Sequence, residues 1–145
     1  MPTQTPTFKK TSPFYLEKFN LLERYGKKTY GDFFNIFEED IPVIGRLIAW
    51  ALGDRSAAYH KGIDLNKGIL LTGPVGSGKT SLMKLMRHFI GSNHHHAVKP
   101  CRDIAYEFHQ NGFGVIQRYT GNAWIPGKLI GFACFDDHGT EQNLK

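Results

Sequence analysis

Apolar residues recur at every third or fourth position in four stretches of the chain, which is the spacing of the buried side of a helix. A glycine follows each of the first three stretches and predicts the end of a helix at Gly26, Gly53 and Gly91. Two further glycines, Gly112 and Gly114, weaken the middle of the fourth stretch and predict a break there. The pattern therefore predicts helices over residues 14–25, 42–52 and 80–90, and a fourth over residues 104–119 that Asp103 can cap.

Short runs of adjacent apolar residues predict strands between these helices. The run at residues 69–71 directly precedes a glycine-rich segment and is typical of a strand buried on both faces. Residues 97–101 form a second run, in which Pro100 predicts the end of a strand or an edge of the sheet. A third run, residues 128–135, ends in two aspartates and predicts a buried strand with carboxylates at its C-terminal tip.

The segment between the first predicted strand and the third predicted helix carries the strongest chemical signal. Residues 73–80 fit the phosphate-binding loop pattern Gly-x-x-x-x-Gly-Lys-Thr at every fixed position. Its glycines permit positive φ and remove side chains that would block the approach of a phosphate, and the following helix directs N–H groups at the anion. We therefore expect a nucleoside triphosphate site formed by Gly73, Pro74, Val75, Gly76, Ser77, Gly78, Lys79, Thr80 and Ser81.

Four side chains have expected roles in this site. Lys79 would reach the β- and γ-phosphates during catalysis, and the hydroxyl of Thr80 would ligate Mg²⁺. The number of residues between the loop and Asp136 is typical of the aspartate that binds magnesium in such proteins. We expect Asp136 to hold the same Mg²⁺ directly or through water. Asp137 would orient or deprotonate the attacking water, because that task needs a carboxylate close to the metal but not bound to it.

Composition narrows the class of protein without identifying a reaction. A chain of 145 residues with 41% hydrophobic and 21% charged residues suits one globular domain. No apolar run approaches the roughly 18 residues of a membrane span, and the N-terminal residues lack a secretory signal. Two distant cysteines, Cys101 and Cys134, indicate a reducing environment, so we expect a cytoplasmic protein. The net charge of +5 is compatible with DNA as a partner and equally with a solvated basic surface.

Three adjacent histidines, His94, His95 and His96, raise the question of a metal site. Consecutive residues of a loop point in different directions, and no Cys, Asp or Glu joins the histidines at ligand spacing. We expect a solvated loop at this position.

The glycine-rich loop and the sequence Asp136-Asp137-His138-Gly139 together resemble the AAA+ ATPases of the helicase-loader and initiator group. DnaC-type loaders and IstB-type transposition ATPases of that group carry an Asp-Asp-x-Gly element, and residues 29–34 are similar to the segment that lines the family's adenine pocket. The resemblance covers roughly residues 29–141. It implies ATP and Mg²⁺ as cofactors, assembly into a homo-oligomer, and a DNA-bound replicative helicase or transposase as partner.

The resemblance also implies a fold class and a domain organisation. We expect an α/β protein with the three-layer α/β/α arrangement and parallel sheet of P-loop NTPases in residues 29–145, preceded by a leader and helix in residues 1–28. In the family, two further strands, an arginine finger and a helical lid follow the Asp-Asp element, whereas this sequence ends eight residues after Asp137. We therefore expect an incomplete fold that results from truncation, and poor ATP hydrolysis in the absence of the arginine.

Two other functions stay open from the sequence. A nucleotide kinase or GTPase-like protein would pair the aspartate strand directly with the strand before the loop, although the sequence contains no Asn-Lys-x-Asp guanine motif and no arginine-rich lid. A non-catalytic module would use the nucleotide only to stabilise a fold that contacts DNA or a protein. Preference for GTP, or phosphoryl transfer to a nucleoside monophosphate, would favour the kinase-like function, and binding without hydrolysis would favour the module.

Overall fold

The computed structural model describes residues 12–90, 97–119, 124–125, 128–129 and 133–136. The chain divides into two compact units, residues 1–74 and 75–145, while the domain boundary expected after residue 28 stays a prediction. In chain order the elements are α1 (Pro13–Tyr30), a 3-10 turn (Glu38–Asp40), α2 (Ile41–Leu52), α3 (Arg55–His60), α4 (Lys79–Met86), β1 (Ala97–Pro100), α5 (Cys101–Asn111), α6 (Gly114–Tyr119), β2 (Trp124–Ile125), β3 (Lys128–Leu129) and β4 (Ala133–Asp136).

Helix α1 begins at a side-chain cap and continues beyond its expected end. The hydroxyl of Ser12 accepts a hydrogen bond from the backbone N–H of Tyr15 at the first turn. Gly26, which the sequence predicted to end the helix, lies inside it, and the space left by its missing Cβ is filled by the ring of Phe34. The helix ends at Gly31, whose φ of 95° is rare for residues that carry a Cβ.

Helices α2 and α3 show where local patterns succeed and fail. The second predicted helix is confirmed as α2, which ends at Gly53 in the left-handed conformation. Residues 54–67, where the apolar pattern predicted no helix, contain α3. The N-terminus of α3 is capped by Asp54 through a 3.0 Å hydrogen bond from the N–H of Ala57. The six residues of α3 are too few to show a helical period, and Ala58 alone is buried.

The core of residues 1–74 lies mainly between α1 and α2. These two helices and their neighbours contribute the buried side chains. Burial of a large aliphatic or aromatic side chain stabilises the fold by roughly 1.5–3 kcal/mol. The buried side chains of this unit are Phe19, Leu22, Ile36, Ile44, Leu47, Ile48, Ala49 and Ala58.

Among the described residues of 75–145, three helices accompany a parallel pair of strands. Helix α4 is shorter than the third predicted helix, because residues 87–90 form turns instead of a further helical turn. The predicted break in the fourth helix is confirmed, since α5 ends before Gly112, whose φ is 61°, and α6 begins at Gly114. The buried apolar side chains among the described residues of this unit are Leu85, Met86, Phe89, Ile90 and Val115.

The described strands form two separate pairs. β1 and β4 are parallel, with Pro100 opposite Asp136, so both strands present their carboxyl ends at one edge. The strand predicted over residues 97–101 is thereby confirmed as far as Pro100, and Cys101 begins α5. β2 and β3 are antiparallel, with Trp124 opposite Leu129. The single strand predicted over residues 128–135 is therefore represented by β3 and β4, which belong to different pairs.

The fold class predicted from the sequence is wrong. The described residues are predominantly helical and their parallel sheet has two strands, which is not the three-layer α/β/α arrangement of a P-loop NTPase. The run at residues 69–71 has irregular backbone instead of a strand, and the side chain of Leu70 is 78% exposed. Three apolar residues are a weak local signal, and a strand forms only where a neighbouring strand pairs with its N–H and C=O groups.

Within the described ranges, no helix combines the length and the apolar character needed to cross a membrane.

Candidate functional site

The glycine-rich segment forms an exposed loop that leads into α4. Val75 and Gly76 lie in a turn, and the side chain of Val75 is fully exposed. Gly76 and Gly78 have φ values of 83° and 79°, a conformation that glycine adopts far more readily than other residues. A Cβ on either glycine would meet no described atom within 4 Å. Backbone conformation therefore explains these two glycines, while the clearance that they would give to an approaching phosphate stays a prediction.

Helix α4 begins at Lys79 and directs its N-terminus toward the loop. The first N–H groups of a helix have no partner within the helix, and the N-terminus carries a partial positive charge. No acidic side chain lies in the first turn of α4, and Gly78 at the cap has no side chain to occupy the N–H groups. The Nζ of Lys79 donates a hydrogen bond of 3.2 Å to the Oγ of Ser77, so the ammonium lies beside the loop. Loop, helix terminus and ammonium together favour an anion.

Thr80 and Asp136 lie in direct contact although 56 positions separate them in the chain. The Oγ1 of Thr80 donates a 2.9 Å hydrogen bond to the Oδ1 of Asp136. α4 carries Thr80 in its first turn, and β4 carries Asp136 as its last residue, at the carboxyl edge of the β1–β4 pair. Both side chains are half-buried. Hydroxyl and carboxylate oxygens are the ligands that Mg²⁺ prefers, so the donor set fits this cation.

The thiol of Cys134 lies two residues before Asp136 and therefore on the same face of β4. Burial, together with the negative charge of Asp136, raises the pKa of Cys134 above its ordinary value. A raised pKa keeps the thiol protonated at neutral pH, whereas the thiolate is the nucleophilic form.

A hydrogen-bonded cluster centred on Glu107 joins β1, α5 and α6 beside β4. Glu107 accepts hydrogen bonds from Lys99 at 2.9 Å, from Arg118 at 3.3 Å and from the hydroxyl of Tyr119 at 3.1 Å. The ring of Tyr119 contacts the ring of Phe135 edge-on, with 6.0 Å between centroids. Because Phe135 precedes Asp136 in β4, we expect the cluster to stabilise the position of this strand. Sequence reasoning missed this cluster, since its members follow no periodic spacing.

We expect Glu107→Gln to lower stability at neutral pH and to flatten its decline in acid. The hydrogen bond from Lys99 is the main cause that lowers the pKa of Glu107 below its ordinary value of 4.5. The native state therefore favours the carboxylate, which contributes stability above pH 4.5 that is lost as the pH falls through the lowered native pKa. Urea midpoints measured from about pH 7 down to about pH 3 would show this difference.

Glu17→Gln is the matched control for that measurement, because its carboxylate is 72% exposed and lies 3.6 Å from Lys18. Its midpoints should follow those of the unmodified chain. Identical pH curves for Glu107→Gln and the unmodified chain would show that the cluster does not stabilise the native state.

The site residues predicted from the sequence lie in the glycine-rich loop, in the first turn of α4 and at the end of β4, apart from those outside the described residues. Gly73 and Pro74 lie in irregular backbone before the turn, residues 79–81 lie in the first turn of α4, and Asp136 ends β4. Asp137, the three histidines, Gly91 and the leader before residue 12 lie outside the described residues. The described ranges contain no group of three or more His, Cys, Asp and Glu side chains that could hold a metal ion.

Comparisons of the chain with family models, with curated proteins and with solved structures find no match. The resemblance to AAA+ ATPases therefore stays a prediction, and a function must be argued from the residues of the site.

Proposed function

We propose that this chain binds ATP together with Mg²⁺, and that residues 73–81 and Asp136 form the site. The observation that carries the proposal is the 2.9 Å hydrogen bond between Thr80 and Asp136. The loop pattern predicts that Thr80 ligates magnesium, and the acidic end of the predicted strand predicts the same role for Asp136. These two predictions rest on separate parts of the sequence. A glycine-rich turn with a chance lysine would give no reason for these two side chains to meet.

The chain's own groups supply the binding chemistry. Lys79 offers a compact positive charge, and the first N–H groups of α4 offer donors for phosphate oxygens. Thr80 and Asp136 would hold Mg²⁺, which would neutralise part of the triphosphate charge when bound. Mg²⁺ commonly takes one or two protein oxygens and completes its shell with phosphate oxygens and waters. A site with few protein ligands is therefore sufficient.

We further propose that the nucleotide serves an ATPase of the helicase-loader or transposition type, acting as a homo-oligomer on a DNA-bound helicase or transposase in the cytoplasm. Support comes from the resemblance of the glycine-rich loop and the Asp136-Asp137-His138-Gly139 element to that group. In this reaction Asp137 would act as the base that orients the attacking water, and Lys79 would stabilise charge on the transferred phosphoryl group.

Calorimetric titration of ATP into the complete chain tests the proposal, with Mg²⁺ in one series and a chelator in the other. We expect saturable binding that Mg²⁺ strengthens. A titration of GTP under the same conditions tests whether the site selects adenine over guanine. If the protein is folded by circular dichroism and binds no ATP in the presence of Mg²⁺, the proposed site is wrong.

Asp136→Asn should remove most of the Mg²⁺-dependent part of ATP affinity, a change of about tenfold, or roughly 1.4 kcal/mol. Asparagine keeps the Oδ1 that accepts the hydrogen bond from Thr80 but lacks the charge that attracts the cation. The measured quantity is the ratio of ATP affinities with and without Mg²⁺. Asp103→Asn, which changes an exposed carboxylate on α5, is the control. An equal ratio in the Asp136→Asn variant and the unmodified chain would exclude Asp136 from the magnesium site.

A further inference from the structure

We infer that a cleft in residues 1–74 binds a small organic carboxylate with an apolar body. The cleft has a volume of about 260 Å³ and lies between α1, α2 and the residue that follows α3. Its residues are separate from the proposed nucleotide site, so the inference does not depend on ATP binding. The lining residues are Ser12, Tyr15, Phe19, Ile41, Pro42, Gly45 and Lys61.

Lys61 provides the positive charge of the cleft. Its Nζ lies 5.7 Å from the centroid of the Tyr15 ring and 3.5 Å from the position that a Cβ on Gly45 would occupy. The side chain is half-buried, and it forms no ion pair with a carboxylate in the part of the chain that the structure describes. A half-buried ammonium has lost part of its hydration, which an aromatic ring replaces only in part. An anion in the cleft would restore the missing interaction.

Asp54 adjoins the cleft without neutralising Lys61. Its carboxylate accepts a 2.8 Å hydrogen bond from the hydroxyl of Tyr15 and a 3.0 Å hydrogen bond from the N–H of Ala57. Asp54 therefore fixes the Tyr15 ring as one wall of the cleft and caps α3 at the same time. No ion pair joins the Asp54 carboxylate to the Lys61 ammonium among the described residues, so Asp54 does not occupy the donors that Lys61 would offer to a ligand.

Gly45 keeps the floor of the cleft open. It lies in the middle of α2, where glycine is less favourable than alanine. A Cβ at this position would have Lys61 Nζ at 3.5 Å and Phe19 Cζ at 3.6 Å as its nearest neighbours, which are ordinary contact distances. Alanine would therefore fit and would stabilise the helix, but its methyl group would occupy the space in front of the ammonium.

The size and lining of the cleft indicate the class of ligand. A cavity of roughly 150 Å³ accommodates benzene, and drug-sized ligands occupy about 300–1,000 Å³, so 260 Å³ suits a substituted ring. Ile41 and Pro42 would contact the apolar body, while Lys61 and the hydroxyl of Ser12 would bind the carboxylate. A single lysine suits a monoanion better than a multiply charged phosphate.

A titration of 4-methylbenzoate into the complete ¹⁵N-labelled chain, followed by amide chemical shifts, tests the inference. We expect a dissociation constant on the order of 1 mM and shifts concentrated at the lining residues. The neutral analogue 4-methylbenzyl alcohol should bind at least about tenfold more weakly, because it lacks the charge that Lys61 recognises. Equal affinity for the two compounds, no binding up to about 20 mM, or shifts outside the cleft would overturn the inference.

Two variants separate loss of binding from loss of folding. Lys61→Met keeps the length of the side chain without its charge, and it should weaken 4-methylbenzoate binding at least about tenfold but leave the alcohol unaffected. Gly45→Ala should abolish binding while it raises the urea midpoint, so unfolding cannot explain the loss. Lys67→Met, which changes a side chain that is 79% exposed, is the control for charge and should keep full affinity. Unchanged affinity in either cleft variant would overturn the inference.

Discussion

Lys79→Ala should weaken binding of ATP with Mg²⁺ about 10- to 100-fold while the fold stays intact. The ammonium of Lys79 lies beside the loop, 3.2 Å from the Oγ of Ser77, where the proposed phosphates would bind. Loss of one hydrogen bond to a charged group costs about 1.5–3 kcal/mol, which corresponds to that range of affinity. Because alanine is a strong helix former and Lys79 is the first residue of α4, the helix should tolerate the change.

Lys84→Ala is the matched control for this experiment. Lys84 lies on the same helix, is exposed, and carries the same charge, but lies beyond the first turn of α4. Calorimetric titrations of ATP with Mg²⁺ into both variants should show a large loss for Lys79→Ala and little change for Lys84→Ala. Equal losses in the two variants would indicate general attraction of the nucleotide to a basic protein. Unchanged affinity in Lys79→Ala would exclude the glycine-rich loop as the site.

Helix positions could be predicted where the signal is local. The apolar period of residues 42–52 and Gly53 at its end identify α2 almost to its boundaries, because the period and the cap lie within the helix itself. The interruption between α5 and α6 follows in the same way from Gly112. The end of α1 could not be predicted from Gly26, because that glycine accommodates a ring from outside the helix.

The sheet could not be predicted, because strand formation depends on partners that lie far away in the sequence. The apolar runs that predicted strands at residues 69–71 and 97–101 are both short. In the described ranges, only residues 97–100 pair with another strand. The missing information is the identity of the neighbouring strand, which supplies the hydrogen bonds that an extended segment needs. A fold class inferred from the glycine-rich loop therefore predicted a larger sheet than the described residues contain.

The proximity of Thr80 and Asp136 was predictable from the sequence, whereas the geometry of their contact was not. A shared magnesium ion, which stays a prediction, would require Thr80 and Asp136 to lie together. Their direct hydrogen bond depends on the parallel pairing that brings the end of β4 to this edge, and no local pattern encodes it. The Glu107 cluster and the Lys61 cleft gave no sequence signal for the same reason, since their contacts join separate helices and strands.

Gly26→Ala should destabilise residues 1–74 by about 1–3 kcal/mol, although alanine is the better helix former. A Cβ on Gly26 would overlap the ring of Phe34, with Cγ only 2.6 Å away. Because Cγ is the ring atom next to the Phe34 Cβ, rotation of the ring about its own axis cannot relieve the overlap. The whole ring must move, and it would lose its stacked contact with Tyr30, whose centroid is 6.1 Å away. Urea denaturation of the variant measures the cost.

A double-mutant cycle with Phe34→Ala distinguishes this steric cause from a general intolerance of α1 to change. Without the ring, the added methyl group has no overlap to relieve, and only the helix preference of alanine remains. Gly26→Ala should therefore stabilise the Phe34→Ala background by up to about 1 kcal/mol, the opposite sign from its effect in the unmodified chain. The same destabilisation in both backgrounds would show that Gly26 is needed for another reason. A change of sign would establish that glycine interrupts the helical pattern here to seat an aromatic ring, which is why it does not end the helix.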